Sequence, residues 1–222
     1  MTRHRRLLPA LALTAVVALA GCGGDDATDA AAPAPAPEPT TEPSAAPGTA
    51  APQAPAPADG ETDPQACDGR LGAVTVARVD VPAGGSCTLD GTTVQGNVTV
   101  GNGARLEALG VVVDGDVQAE AAAQVDVVDS RIDGNIQVEQ GGGSTVTGTR
   151  IDGDLQWEQQ TGPLVADRNT VDGNLQAEQN RGGLTVSGNT VDGNLECEAN
   201  EPAPTGGGNR VSGDREGQCA GL

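Results

Sequence analysis

One short motif returns seven times along the chain, as TTVQGNV, VVVDGDV, SRIDGNI, TRIDGDL, NTVDGNL, NTVDGNL and NRVSGDR. Its central glycines are Gly96, Gly115, Gly134, Gly153, Gly173, Gly193 and Gly213, at intervals of 19, 19, 19, 20, 20 and 20 residues. A fixed period near 20, with short alternating apolar stretches and no run of helical spacing, is the mark of a β-solenoid. In that architecture one repeat forms one coil, and each coil buries its apolar side against its neighbours in the stack. A leucine-rich repeat has a similar period, but its LxxLxL signature is missing. The expected fold is therefore all-β, with about seven to eight coils of 19–20 residues across residues 67–222.

Within NTVDGNLQAEQNRGGLTVSG, alternation points Val171, Leu175 and Ala177 inward, followed by Leu184 and Val186 after a Gly-rich corner. Val113, Val117, Ala119, Val125 and Val127 repeat this set earlier in the array. Three short strands and three corners fill such a coil, and stacking pairs each strand in parallel with its copies at about 4.8 Å. The glycine after Asp is expected to take a positive φ at a turn. Trp157, the single Trp of a chain without Phe or Tyr, falls at an inward position in register with Val138 and Ala177, and is expected to fill the core. Asn169, Asn189 and Asn209 share one coil position with inward parity. They resemble the asparagine ladder of right-handed parallel β-helices, where stacked amides bond one another and the turn backbone.

The composition removes whole classes of chemistry. All 12 basic residues are Arg, and His4 is the only His. Without Lys there is no Schiff-base chemistry, and loss of His4 with a signal segment would leave no Ser-His-Asp or Cys-His system and no His-ligated zinc or iron. No phosphate-cradling glycine pattern is present. A net charge of -19 opposes nucleic acid and anionic lipid as partners of the exported surface. No cofactor is implied.

The N-terminus reads as an export signal. Arg3, Arg5 and Arg6 precede an apolar run over residues 7–20, too short to span a bilayer as a stable helix. The run ends in Leu19-Ala20-Gly21-Cys22, which resembles the bacterial lipobox. Residues 1–21 are thus expected to be a lipoprotein signal peptide and Cys22 the lipidated first residue, giving the multi-chain hold that stable anchoring requires. Residues 22–66 form a Pro/Ala-rich linker carrying ten of the 15 prolines, expected to be disordered and extended. At about 3.1 Å per residue it reaches on the order of 100 Å. Thr40, Thr41, Ser44 and Thr49, beside prolines, are possible O-glycan acceptors, with a bare linker the alternative.

Four cysteines bracket the repeats. Cys67 and Cys87 are 20 residues apart, and Cys197 and Cys219 are 22 apart. Four cysteines allow three connectivities. Spacing of one coil puts Cα atoms about 5 Å apart, so the pairs expected are Cys67 with Cys87 and Cys197 with Cys219, one staple at each end. Acidic residues repeat as well. Asp114, Asp133, Asp152, Asp172 and Asp192 form one outward file; Glu120, Glu139, Glu158, Glu178 and Glu198 form another, beside Gln118, Gln137, Gln156 and Gln176. Stacked carboxylates at about 4.8 Å repel by roughly 0.9 kcal/mol per neighbour even in water. The Asp file is a weak candidate for Ca²⁺, but the nonapeptide of calcium-binding rolls is absent, so a solvated face that keeps a repetitive sheet soluble is expected instead.

The repeats GNVxV and DGNLQ and the ending APTGGGNRVSGDREGQCAGL resemble a family of uncharacterised exported actinobacterial lipoproteins. The coils are also similar, in architecture alone, to pectate-lyase-like right-handed β-helices and to bactofilins. That resemblance implies a right-handed parallel β-helix and transfers no activity. Two functions follow as expectations. The first is a non-catalytic surface, spacer or partner-binding module, held to the membrane by its lipid and facing a cell-wall polymer or envelope protein. The alternative is a polysaccharide-active enzyme like the β-helical lyases, with Arg131 and Arg150 on one outward file. Ion pairing with Asp133 and Asp152, two residues on, explains those arginines without a substrate. Near-uniform coils, the absence of long loops and the lack of aromatic sugar platforms speak against the enzyme.

Overall fold

The structure, a computed structural model, describes residues 64–222. The expected signal segment, Cys22 and the linker as far as residue 63 lie outside the described residues. No helix occurs among the described residues; the chain instead winds through 25 short strands, the longest of five residues. They form three parallel sheets. Sheet 1 has nine strands, from Gln65–Ala66 to Arg215–Gly217. Sheet 2 has eight, from Gly69–Leu71 to Thr205–Gly207, and sheet 3 has eight, from Thr75–Val76 to Arg210–Val211. The chain visits sheets 1, 2 and 3 in turn, and each strand pairs with its counterpart one coil away, giving a solenoid of about eight coils.

Strict in-out alternation builds the core. In the coil from 170 to 187, Val171, Leu175, Ala177, Leu184 and Val186 are buried, and so are Val113, Val117, Ala119, Val125 and Val127. Branched aliphatic side chains stack on their own kind from coil to coil: Ile132 on Ile151 and Ile151 on Val171, Ile136 on Leu155 and Leu155 on Leu175. Small residues suffice because every coil is covered above and below. Trp157 is only 1% exposed, in register with Val138 and Ala177, as alternation requires.

The corners differ from expectation in one respect, and the difference explains the glycine repeat. Gly96, Gly115, Gly134, Gly153, Gly173, Gly193 and Gly213 mark the corner between sheets 3 and 1, and none has a positive φ. They are glycines because stacked backbones meet there. A Cβ on Gly134 would lie 2.7 Å from Gly115 O, and one on Gly173 would lie 2.8 Å from Gly153 O. That contact lets the Gly134, Gly153, Gly173, Gly193 and Gly213 N–H groups donate to the glycine carbonyl of the preceding coil at 3.0–3.1 Å. The left-handed residues sit at the other two corners. Between sheets 1 and 2 they include Ala121, Gln140, Gln159, Gln179 and Ala199; between sheets 2 and 3 they include Gly110, Asp129, Gly148, Arg168 and Gly188.

The two kinds of glycine therefore differ in how they fail. Gly188→Ala (φ 65) adds left-handed strain of about 1–2 kcal/mol in a site with room for a methyl. Gly173→Ala drives Cβ into backbone that side-chain rotation cannot clear, and its loss is expected to be the larger, about 3 kcal/mol or more. Chemical denaturation of the two variants checks the order. A smaller loss for Gly173→Ala contradicts the close-approach account.

Candidate functional site

Two outward surfaces carry the chemistry. The first is the Asp file at the corner between sheets 3 and 1. Asp114, Asp133, Asp152, Asp172 and Asp192 each follow the last strand residue of sheet 3, one per coil. Arg131 and Arg150 occupy adjacent coils of that sheet, in register with each other. Arg131 Nε lies 2.8 Å from Asp133 Oδ1, while its second arm donates to Asp152 Oδ2 at 2.6 Å. Arg150 repeats the pattern, with Nε 2.8 Å from Asp152 Oδ1 and its other arm on Asp172. Each guanidinium thus clamps its own coil to the next. Isolated surface pairs contribute about 0–1 kcal/mol, and here their role is to offset repulsion along the file. Asp192 accepts a bond from Ser212 Oγ at 3.4 Å, and Asp114 has no partner among the described residues.

Three of the five weak Ca²⁺ candidates, Asp133, Asp152 and Asp172 in mid-file, therefore hold arginine. Among the described residues, no three His, Cys, Asp or Glu side chains converge on a point that could hold a metal ion. Millimolar Ca²⁺ is expected to shift the melting temperature little more than NaCl at matched ionic strength, because the file is already cross-linked by cations. Calorimetry in the two salts checks this. A saturable, Ca²⁺-selective rise of many degrees, abolished by Asp133→Asn with Asp152→Asn and Asp172→Asn, would contradict it.

The second surface is the outer face of sheet 1. Glu120, Glu139, Glu158, Glu178 and Glu198 stand in strict register, with Gln118, Gln137, Gln156, Gln176 and Glu196 in the file beside them. Gln137 Nε2 donates to Gln156 Oε1 at 3.2 Å, and Gln176 Nε2 to Glu196 Oε2 at 3.0 Å. The six ion pairs found among the described residues include none of these glutamates. Toward the N-terminal end of the face, an open cleft of about 570 Å³ is lined by Thr99, Asn102, Gln118, Glu120, Gln137 and Glu139, among others. It offers amides, a hydroxyl and carboxylates to a ligand, and the donor set suits hydrogen bonding to a polar or hydroxyl-rich group.

The predicted asparagine ladder is present and longer than the sequence suggested. Asn189 Oδ1 accepts from Asn169 N at 2.9 Å and Asn169 Nδ2 at 3.1 Å, and Asn209 does the same for Asn189. Thr149 and Ser130 continue the column toward the N-terminus, with Thr149 N donating to Asn169 Oδ1 and Ser130 N to Thr149 Oγ1. Two further ladders went unread. At the corner between sheets 1 and 2, Gln160, Asn180 and Asn200 are buried, each accepting at its side-chain oxygen from the coil before, and Gln218 ends the column. At the third corner Asn97, Asp116, Asn135, Asp154, Asn174 and Asn194 each accept from a main-chain N–H of the following coil. The signal for the first of these is the 20-residue spacing of Asn180 and Asn200, three positions beyond inward Ala177 and Cys197.

No protein-family model, no curated protein and no solved structure matches this chain. The resemblance to an actinobacterial lipoprotein family gains no support from them, and what stands is the parallel β-solenoid itself. Cys67–Cys87 and Cys197–Cys219 form disulfides at Cα separations of 5.5 and 5.2 Å, one at each end of the stack. Buried disulfides belong to an oxidising, extracytoplasmic compartment. At the C-terminal end Cys219 is fully buried, and Arg215 donates to Leu222 O at 2.7 Å and Asn209 O at 2.8 Å, tying the last turn across the open sheet edges.

Proposed function

We propose that this chain is a lipid-anchored, non-catalytic extracytoplasmic rod: Cys22 holds it to the membrane, the Pro/Ala-rich linker sets its distance, and the solenoid serves as an envelope surface, spacer or partner-binding module. The observation that carries the reading is the evenness of the coils. Among the described residues the longest connection between strands, residues 199–204, has six residues, so no loop there rises from the stack to wall off a deep, water-excluded pocket. The outward Glu and Gln files of sheet 1 are the face on which a cell-wall polymer or envelope protein would lie, since three of the five Asp-file carboxylates are already paired with arginine. No cofactor enters this role.

The test is incubation of the purified chain with isolated cell-wall polymers and polysaccharides, scoring retention and chain length of the polymer together. Retention without shortening supports a binding rod. Shortening of any polymer overturns it in favour of a polysaccharide-active enzyme of the β-helical lyase type. The anchor is tested separately: Cys22→Ala is expected to release the protein to the medium or block its processing, and unchanged membrane partitioning of a processed chain contradicts lipidation.

A further inference from the structure

Five coils carry an Asp-Gly pair at the same corner: Asp114-Gly115, Asp133-Gly134, Asp152-Gly153, Asp172-Gly173 and Asp192-Gly193. Asp-Gly is the dipeptide in which a main-chain nitrogen most easily reaches the preceding side-chain carboxyl, because glycine has no Cβ to obstruct the ring. Two restraints oppose that reaction in this fold, and each is visible in the hydrogen bonding. The glycine N–H can be committed to the coil below, and the aspartate carboxylate can be committed to a neighbour.

Both restraints act at four of the five pairs. Gly134, Gly153, Gly173 and Gly193 donate to the preceding glycine carbonyl at 3.0–3.1 Å. Asp133, Asp152 and Asp172 are held by Arg131 and Arg150, and Asp192 by Ser212. Asp114-Gly115 has neither: the Gly115 N–H makes no hydrogen bond and the exposed Asp114 carboxylate makes no ion pair or hydrogen bond among the described residues. The cause is local. In the sheet 3 file that supplies Arg131 and Arg150, the coil of Asp114 has Val112. Among the described residues the other candidates outside the repeat are restrained, and Asp59-Gly60 lies outside the described residues. Asp68 accepts from Ser86 N at 3.2 Å, Asp90 is paired with Arg70, and Gly103 N donates to Ala121 O at 2.8 Å.

We infer that Asp114-Gly115 is the site at which the folded protein undergoes aspartate isomerisation. The Gly115 main-chain nitrogen attacks Cγ of the protonated Asp114 carboxyl. An N–Cγ bond forms, and the carboxyl hydroxyl leaves with the amide proton as one water, closing a succinimide. One water then adds back. When it enters at the α-carbonyl carbon, that C–N bond breaks and the chain runs onward through Cβ and Cγ, with a new α-carboxylate. No oxidant, reductant or enzyme is required. The product lengthens the main chain by one carbon at a corner where a Cβ on Gly115 would lie 2.8 Å from Gly96 C, and it disturbs the bond from Asp116 N to Asn97 Oδ1 at 3.0 Å.

The experiment is storage of the purified full-length chain at neutral pH, followed by peptide mapping that separates isoaspartyl from aspartyl peptides, with isoaspartyl methyltransferase labelling as an independent count. In the folded protein, isoaspartate at 114 is expected to exceed that at each of 133, 152, 172 and 192 by about tenfold, the factor expected from one lost hydrogen bond. In denaturant the five rates should converge. Val112→Arg, which places a guanidinium where Arg131 and Arg150 have theirs, should slow conversion at 114 without changing the denatured rate. Equal conversion at all five pairs in the folded state overturns the inference. So does absence of isoaspartate at 114 in folded protein whose denatured control converts.

Discussion

Asn189→Ala is expected to lower stability by about 4 kcal/mol, one of the two largest single-residue effects in the molecule. The side chain it removes sits in the middle of a buried column. Its Oδ1 serves Asn169 N and Nδ2, and its Nδ2 donates to Ala166 O at 2.9 Å and to Asn209 Oδ1 at 3.0 Å. Truncation leaves two donors and a carbonyl without partners where Asn189 itself is fully buried, and each buried orphan costs about 1–3 kcal/mol. Asn102→Ala, on an exposed turn, should change stability by less than about 0.5 kcal/mol. Because coils contact only their neighbours, the damage should also be local. Hydrogen exchange is expected to show protection lost in the coils around 169, 189 and 209 while the coils before 130 keep theirs. A loss below about 1 kcal/mol in denaturant titration would mean that the ladder is decorative.

Trp157→Ala is the second. The indole is the largest buried side chain, and its coil departs from its neighbours at this position, where the sheet has Val138 before it and Ala177 after it. On sheet 2 the preceding coil has the small Ser144 where its neighbours in register are Val125, Leu164 and Leu184. Removing the indole leaves a cavity that a rigid stack of parallel strands cannot close, with a loss of about 3–5 kcal/mol. Trp157→Phe should lose far less, because the indole Nε1 is buried without a hydrogen-bond partner and phenylalanine removes that orphan while keeping most of the ring. Denaturation followed by circular dichroism measures both variants. Equal losses for Ala and Phe would show that the nitrogen has an unseen role.

Most of this architecture was legible because its regularities are one-dimensional. Period-2 alternation reports which side chains face in, and it placed Val171, Leu175, Ala177 and Trp157 in the core correctly. A spacing of one coil implies adjacency along the stack, so the pairing of Cys67 with Cys87 and of Cys197 with Cys219 followed from counting residues. The same reasoning found the Asn169–Asn189–Asn209 column, since identical residues at identical phase must stack. It missed the column from Gln160 to Gln218, whose members differ in type and whose last interval is 18 rather than 20 residues.

What the sequence by itself determined is the coil: its length, its inward set and its neighbours above and below. Only the tertiary structure decided how coil meets coil at each corner. The repeat glycines were expected to serve positive φ, but backbone direction at the two other corners takes the left-handed residues, and the glycines are required by carbonyls stacked beneath them. Arg131 was placed beside Asp133 by its spacing, yet its second arm reaches Asp152 in the next coil, a contact set by side-chain length across the stack. The Gly115 N–H, without a partner among the described residues while Gly134, Gly153, Gly173 and Gly193 have one, is likewise invisible in a repeat that reads the same at all five. Periodicity specifies which residues are neighbours; hydrogen bonds depend on tenths of an ångström and on direction, which exist only once the coils are stacked.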